Sequence, residues 1–442
     1  MKIVKSGCGL YQLKIQLFFS LILCSALTVC SQQKGRFVSV KTHQFVLENK
    51  PYYYIGANYW YGGTLGYTAE GKARLKKELD FLYKKGISNL RVVVGAEGSG
   101  QINGVQRVKP ALQTKQGEFD LSRLTGLDYL LAEMNKLNMQ AVLVLSNNWE
   151  WTGGFLQYLN WNGLIADSVL KRKLNWDEYR DYVSKFYSCQ PCVKSYLKQV
   201  DLLVNRKNTY SGKKYINDEA IMSWEIANEP RPMRPSANSA YSDFIIKVAA
   251  HIKNIDKNHL VTAGVEGEMG TERLELFEKI HKDKNMDYLT IHIWPKNWGW
   301  FKGNDIETGF SNILDNTKQY IVKHAAVAAK INKPLVIEEF GLPRNNHSFS
   351  TNAPTTLRDG LYKEIFQLWK QSKDGGGYIG GCNFWAFSGT GRPKPGQVFW
   401  KDGDDYLGDP PMEEQGLNSV FDSDTSTWNI IESFTNKSKS KQ

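Results

Sequence analysis

Eight apolar, β-rich runs alternate along this chain with helical stretches, and neither a solenoid-scale repeat nor a low-complexity linker interrupts them. Most of the runs are apolar throughout, the pattern of parallel strands buried on both faces. Eight strand–helix units of that kind predict a TIM (β/α)8 barrel, an α/β fold. A chain of 442 residues fits one such domain with insertions, here over residues 36–434.

The strands are expected at Tyr52–Trp60, Ile87–Val94, Gln140–Asn147 and Ala220–Asn228, then at His259–Val265, Asp287–Trp294, Pro334–Phe340 and Tyr378–Phe387. Helical patterns fall between them at Gly71–Lys85, Leu121–Leu137, Ser311–Ile331 and Thr356–Ser372. Residues 1–35 stand apart from the fold. Lys2, Lys5 and Lys14 precede an uncharged apolar run from Leu17 to Val29, the layout of a secretory signal. The end of that run, Leu27-Thr-Val-Cys-Ser31, resembles a bacterial lipobox with Cys30 as the lipidated residue, although Val29 stands where a small residue is usual. The expectation is an exported, monomeric protein, either a surface or outer-membrane lipoprotein or a freely secreted one. Its only membrane contact would be a lipid on Cys30, since no other stretch approaches transmembrane length. Residues 435–442, with Lys437, Lys439 and Lys441, read as a disordered basic tail.

Composition narrows the function classes. Hydrophobic residues make up 41% of the chain, which allows a large core and argues against general disorder. The 13 Trp and 22 Tyr fit either core filling or a sugar cleft, because pyranose rings present flat C–H faces to indoles. The formal charge is +11, and loss of residues 1–29 removes three lysines and no acid, leaving +8. No Arg-rich stripe interleaved with aromatics accompanies it, so nucleic acid is not an expected partner. Of six cysteines, Cys189, Cys192 and Cys382 lie beyond the signal and Cys30. A zinc site would need a second CxxC pair, so Cys189 and Cys192 are read as a local disulfide or two free thiols. With no HExxH, Asp-rich loop or Gly-rich phosphate cradle, no metal and no cofactor is expected.

In such a barrel the active site lies at the C-terminal ends of the strands. Here those ends are polar and aromatic: Arg91, Asn147-Asn148-Trp149, Asn228-Glu229, Glu266, His292, Glu338-Glu339 and Trp385. Buried polar groups are costly without a task, so their convergence on one rim marks a site. Glu229 after strand four and Glu339 after strand seven face each other across the mouth. A facing carboxyl pair suits glycoside hydrolysis, in which one group gives a proton to the leaving oxygen and the other attacks the anomeric carbon or activates water. Period-two alternation sends Glu338 and Glu339 to opposite faces, so only one should enter the barrel. Glu225, four residues before Glu229, reads as a deeper structural carboxylate paired inside the barrel.

Ser223-Trp-Glu-Ile-Ala-Asn-Glu-Pro-Arg231 resembles the acid/base signature of glycoside hydrolase family 5, and Glu339-Phe-Gly341 resembles its nucleophile motif. Gly56-Ala-Asn-Tyr-Trp-Tyr-Gly62, Asn208-Thr-Tyr-Ser-Gly212, Trp294-Pro-Lys-Asn-Trp-Gly-Trp300 and Gln415–Ser426 are similar to segments of its β-mannanase branch. The resemblance spans about residues 36–434. It implies endo-acting hydrolysis of β-1,4-mannosidic bonds in mannan, glucomannan or galactomannan, by a retaining double displacement. Glu229 would be the acid/base and Glu339 the nucleophile, chosen over Glu338 by the family motif.

The same resemblance, with charge and position, assigns supporting roles. Arg91 would hold the nucleophile ionised, Asn228 would bond the sugar 2-hydroxyl and His292 would orient Glu229. Trp385 would be the stacking floor, and Arg231 would act on the leaving-group side. Trp60, Trp294 and Asn148 complete the expected substrate-contacting set. Two departures stand out. Many family members carry His-x-Tyr on strand six where this chain has His292-Ile-Trp294, and their His after strand three is replaced by Asn147 or Asn148. Two rival readings are a β-1,4-glucanase of the same family and, from another class, a non-catalytic glycan-binding surface lipoprotein. The second usually lacks one of the two glutamates, and this chain has both.

Overall fold

The computed structural model describes residues 36–435. The body from Phe37 onward is built on eight parallel strands. They are β1 (Tyr54–Asn58), β2 (Asn89–Val93), β3 (Gln140–Val144), β4 (Ile221–Glu225), β5 (Leu260–Thr262), β6 (Leu289–Ile293), β7 (Leu335–Phe340) and β8 (Ile379–Phe384). Each is buried along its whole length, which is why the runs are apolar throughout rather than alternating. The sheet order β5-β4-β3-β2-β1-β8-β7-β6 wraps the chain into a barrel. Its seam, between β5 and β6, is closed by separate bonds such as Asp287 N–H to Val261 O (2.9 Å) and His292 N–H to Glu266 O (3.0 Å).

A helix follows every strand: α1 (Ala69–Lys84), α2 (Leu124–Lys136), α3 (Gln190–Val204), α4 (Asn238–Ile255), α5 (Leu274–Lys282), α6 (Ile306–Ile331), α7 (Thr356–Asp374) and α8 (Thr425–Thr435). The (β/α)8 expectation holds. The predicted strand ends fray by a few residues because runs such as His259–Val265 continue into buried loops beyond the ladder, where β5 keeps only three residues. A small antiparallel sheet (Ser39–Lys41, Gln44–Leu47, Lys50–Pro51) precedes the barrel, and its Phe45 packs with Tyr54, Met222, Tyr288 and Val336 as a separate apolar cluster. These last four lie at or near the N-terminal ends of their strands, so the hairpin plugs the mouth opposite the site.

Cys189 and Cys192 form a disulfide at the start of α3, settling the two alternatives for that pair, and Cys382 is free and buried. Among the described residues no helix is long and apolar enough to cross a membrane. Cys30, the signal-like segment and the basic tail lie outside the described residues.

Candidate active site

Glu229 and Glu339 meet at the C-terminal mouth, where the nearest carboxylate oxygens and a ring nitrogen of His292 lie within 4.8 Å of one another. Each of the four carboxylate oxygens has its own partner. On Glu229, His292 Nδ1 lies 2.7 Å from Oε1 and the Trp149 indole N–H donates to Oε2 at 2.5 Å. On Glu339, an Arg91 guanidinium N–H donates to Oε1 and the Trp294 indole N–H donates to Oε2 at 3.1 Å. Trp294 therefore supplies from the indole a donor to Glu339 at the position of the sequence's departure from His-x-Tyr. A Cβ at position 341 would lie 2.9 Å from the Trp294 ring, so the glycine of Glu339-Phe-Gly341 lets that ring close over the carboxylate.

Arg91 is buried at the centre of the arrangement. It donates to Glu225 through Nε (2.8 Å) and Nη2 (2.5 Å), to Asn228 Oδ1 (2.8 Å) and to Asn58 Oδ1 (3.1 Å), in addition to Glu339. One rigid fork thus fixes Glu225 of β4, Asn228 just after it and Glu339 of β7. Glu225 is the deep paired carboxylate that its parity with Glu229 implied.

The alternation argument for Glu338 and Glu339 fails, for a visible reason. Pairing runs Ile291 with Ile337 and then His292 with Glu339, so β7 carries a bulge that skips Glu338. Both side chains are consequently interior. Glu338 sits deeper, 3.7 Å from Arg91 and 3.6 Å from His292 Nε2, while only Glu339 reaches the cavity.

Burial is the main influence raising the carboxyl pKa of both Glu229 and Glu339. On Glu339 the Arg91 charge is the largest opposing influence, and the charge of Glu229 raises it further. On Glu229 the Arg231 charge is the largest opposing influence, followed by the Trp149 hydrogen bond and the Arg91 charge, and two carboxyls this close share a proton rather than both ionising. Burial also lowers the His292 pKa, which favours the neutral imidazole beside Glu229. Glu229 itself has φ of 51°, a left-handed conformation uncommon for a non-glycine residue and typical of a functional position held by its surroundings.

The cavity over the pair is about 320 Å³. Of the sequence-derived contacts, Asn228, Arg231, Trp294 and Trp385 line it, whereas Arg91 and His292 lie directly beneath it. Trp385 leaves its buried indole N–H without a partner among the described residues. Arg231 pairs with Glu266 through two bonds (2.5 and 2.6 Å) and lies over the Trp149 ring at 5.1 Å. Two residues fall elsewhere. Trp60 is wedged edge-on against Trp151 and Tyr406 and donates to Gly408 O at 2.9 Å, so it braces a loop rather than facing the cavity. Asn148 is buried off the cavity wall, and its carbonyl accepts from Tyr179 Oη at 2.7 Å. Asn147 instead bonds Asn228 Nδ2 (3.1 Å), taking the place after strand three.

Trp176, Met269, Met412 and Glu413 also line the cavity, and sequence reasoning missed them. Met412 and Glu413 lie in a loop, and Trp176 and Met269 in short helices inside the insertions after β3 and β5, where no long periodicity marks a residue's direction. Glu413 is pushed up to about 8, first by desolvation and then by the charges of Asp409 and Glu229.

A family model described as GH family 5 beta-mannosidase-like matches residues 35–442. The chain is 27% identical over 386 residues to mannan endo-1,4-beta-mannosidase 1 of Oryza sativa subsp. japonica, spanning 84% of this chain and 81% of the relative. Mannan endo-1,4-beta-mannosidase 3 of Arabidopsis thaliana is 29% identical over 379 residues, spanning 82% and 84%. The crystal structure of a glycoside hydrolase family 5 mannosidase from Rhizomucor miehei is similar at 32% identity and a TM-score of 0.80, covering 90% of this chain and 97% of that one. An endo-beta-1,4-mannanase from Thermotoga petrophila shares the fold at 21% identity and a TM-score of 0.63, covering 87% and 77%.

Proposed function

Because this chain belongs to the β-mannosidase-like group of glycoside hydrolase family 5, we propose that it is a mannan endo-1,4-β-mannosidase acting with retention on mannan, glucomannan or galactomannan. The observation that carries the reading is the carboxyl pair with a separate donor or imidazole on each oxygen. The close approach of Glu229 and Glu339 supports the retaining arrangement, in which the carboxyl groups lie ~5–5.5 Å apart, over the wider spacing of an inverting pair. The Trp385 floor supports the mannosyl ring with C1 over Glu339. Glu229 protonates the glycosidic oxygen as Glu339 attacks C1, and the sugar beyond the bond departs. Glu229, now ionised, then takes a proton from water, which attacks C1 and frees Glu339. Arg91 and the Trp294 N–H stabilise the nucleophile's charge before attack, and the Trp149 N–H stabilises the charge left on Glu229 after it gives up its proton.

A chain-end-acting β-mannosidase is the second reading, favoured by the similarity to the Rhizomucor miehei mannosidase. Product analysis on mannan, glucomannan, cellulose, xylan and β-1,3-glucan tests both. The endo reading expects mixed mannooligosaccharides and an early loss of viscosity on mannan. Mannose as the sole early product would favour chain-end action, and cleavage of cellulose with mannan untouched would overturn both.

The proposal extends to location. A signal-like N-terminus and the lipobox-like Cys30 support export with a lipid anchor, and the enzyme is proposed to act as a monomer. Cys30→Ser should release active enzyme from the membrane fraction of an expressing bacterium. An unchanged membrane fraction argues against the anchor.

A further inference from the structure

The bulge in β7 leaves Glu338 inside the barrel, beneath the Glu229–Glu339 pair and off the cavity wall. Its backbone is fixed there, since the Asn58 side chain donates to the Glu338 carbonyl at 2.9 Å. Neither carboxyl oxygen of Glu338 has a hydrogen-bond partner among the described residues. Arg91 lies 3.7 Å away but has nothing left to give. A guanidinium carries five N–H groups. Glu225 takes two of those on Arg91, and Asn58, Asn228 and Glu339 take one each.

The surroundings decide the protonation of Glu338. Tyr54 of β1, Arg91 of β2, Glu225 of β4, and Tyr288 and His292 at the start and within β6 all act on it. Burial keeps the two phenols uncharged, and likewise the thiol of Cys382, on β8 beside Ile337. Arg91 is a single positive charge that already bonds two carboxyls, Glu225 and Glu339. A third carboxylate, buried and without a donor, would be an unpaired charge, so Glu338 takes up a proton. Burial first, and then the Glu225 charge, raise its pKa accordingly. A protonated carboxyl is a donor and needs an acceptor. His292 Nε2 lies 3.6 Å from Glu338 Oε2 and also lacks a partner among the described residues. The terminal torsion of a glutamate is broad, so a turn of the carboxyl brings its O–H into bonding range.

We propose that Glu338 is a positioning residue for the acid/base: protonated, it donates to His292 Nε2, which obliges the neutral imidazole to carry its own hydrogen on Nδ1 and to donate it to Glu229 Oε1. This deepens the glycosidase reading above and rests on it. With His292 Nδ1–H at 2.7 Å from one oxygen of Glu229 and the Trp149 indole N–H on the other, both oxygens accept, and the proton of Glu229 is left for the leaving oxygen. The opposite tautomer, with hydrogen on Nε2, would present Nδ1 as an acceptor and hold that proton against the imidazole instead of the substrate. The other carboxyls facing His292 are Glu339, 3.3 Å from Nδ1, and Glu266, which bonds Arg231 through both oxygens. Neither reaches Nε2 as Glu338 does.

Glu338→Leu removes the donor, and Glu338→Gln keeps a neutral N–H donor of nearly the same shape. Kinetics are compared on mannotetraose, whose leaving group needs the proton of Glu229, and on an activated aryl β-mannoside, whose first step does not. In Glu338→Leu the ratio of kcat/KM for the tetraose to that for the aryl mannoside should fall about tenfold, and Glu338→Gln should recover most of that loss. A packing defect lowers both substrates together and leaves the ratio unmoved. In wild type carrying ring-15N histidine, the His292 signals, identified by their loss in His292→Asn, should show hydrogen on Nδ1 and none on Nε2. Hydrogen on Nε2 overturns the proposal, and so does a wild-type ratio in Glu338→Leu. A loss in Glu338→Gln as deep as in Glu338→Leu overturns it too, because it would mean that Glu338 acts ionised. If Glu338→Leu does not fold, the wild-type spectrum and Glu338→Gln decide. A wild-type enzyme that cuts neither substrate would instead overturn the glycosidase reading, while the spectrum still reports on Glu338.

Discussion

Replacing Trp149 by Phe isolates one bond on the acid. The ring is kept, and with it most of the packing against Tyr179, Trp176 and Arg231. The indole N–H, which donates to Glu229 Oε2 at 2.5 Å, is lost. That bond favours the ionised carboxyl and so pulls the Glu229 pKa down against the burial that raises it. A hydrogen bond to a charged group contributes about 1.5–3 kcal/mol and one to a neutral group about 0.5–1.5 kcal/mol. The difference, about 1–1.5 kcal/mol, corresponds to a rise of about one pKa unit at 1.36 kcal/mol per unit. Glu229 must be protonated to release the leaving group, so activity is lost as pH rises through its pKa, and a higher pKa moves that loss to higher pH. The assay is kcat/KM on mannotetraose across pH. Trp149→Phe should shift the alkaline limb up by about one unit and leave the acid limb, set by Glu339, nearly in place. An unmoved or lowered alkaline limb refutes the assignment of that limb to Glu229 and of Trp149 as its donor.

Trp294→Tyr replaces one donor to Glu339 with another and should keep kcat/KM within about tenfold, whereas Trp385→Ala removes the sugar floor and should cost more on short oligosaccharides. Near-full activity of Trp385→Ala would misplace the cleft. Glu225→Gln removes a buried charge that faces Arg91 through two bonds, and should lower unfolding free energy by about 3 kcal/mol or more in urea. It also removes a negative charge that raises the Glu339 pKa, so the acid limb should move to lower pH, and movement the other way would contradict the charge arrangement.

Much of the fold was legible because a parallel barrel strand writes itself as an apolar run, and β2, β3 and β4 fall within the predicted spans. The facing carboxyl pair was legible because a charged residue ending such a run stands out. The Glu338 bulge was not, since β7 reads as an ordinary strand and the skipped residue appears only against the register of β6. Trp60 misled because an aromatic just after β1 looks like a cleft wall; its direction is set by the Gly408 carbonyl, some 350 residues away in the chain. That loop is held by Asp409, which accepts from Gly416, Asn418 and Ser419 N–H groups and so fixes the stretch presenting Met412 and Glu413. Such a loop has no period, and Trp176 and Met269 stand in the first turn of short helices whose few residues leave no long pattern in the sequence.

Azide rescue of the two glutamate variants tests the division of roles most directly. With an activated aryl β-mannoside, Glu229→Ala should still form the glycosyl–enzyme through Glu339 and then stall, because no base remains to activate water. Azide needs no deprotonation, so it should restart turnover and give the β-mannosyl azide. Glu339→Ala cannot form that intermediate, and any azide product should be the α-anomer. Reversed stereochemistry would exchange the roles of the two residues, and wild-type mannan hydrolysis by either variant would contradict their assignment as the catalytic pair.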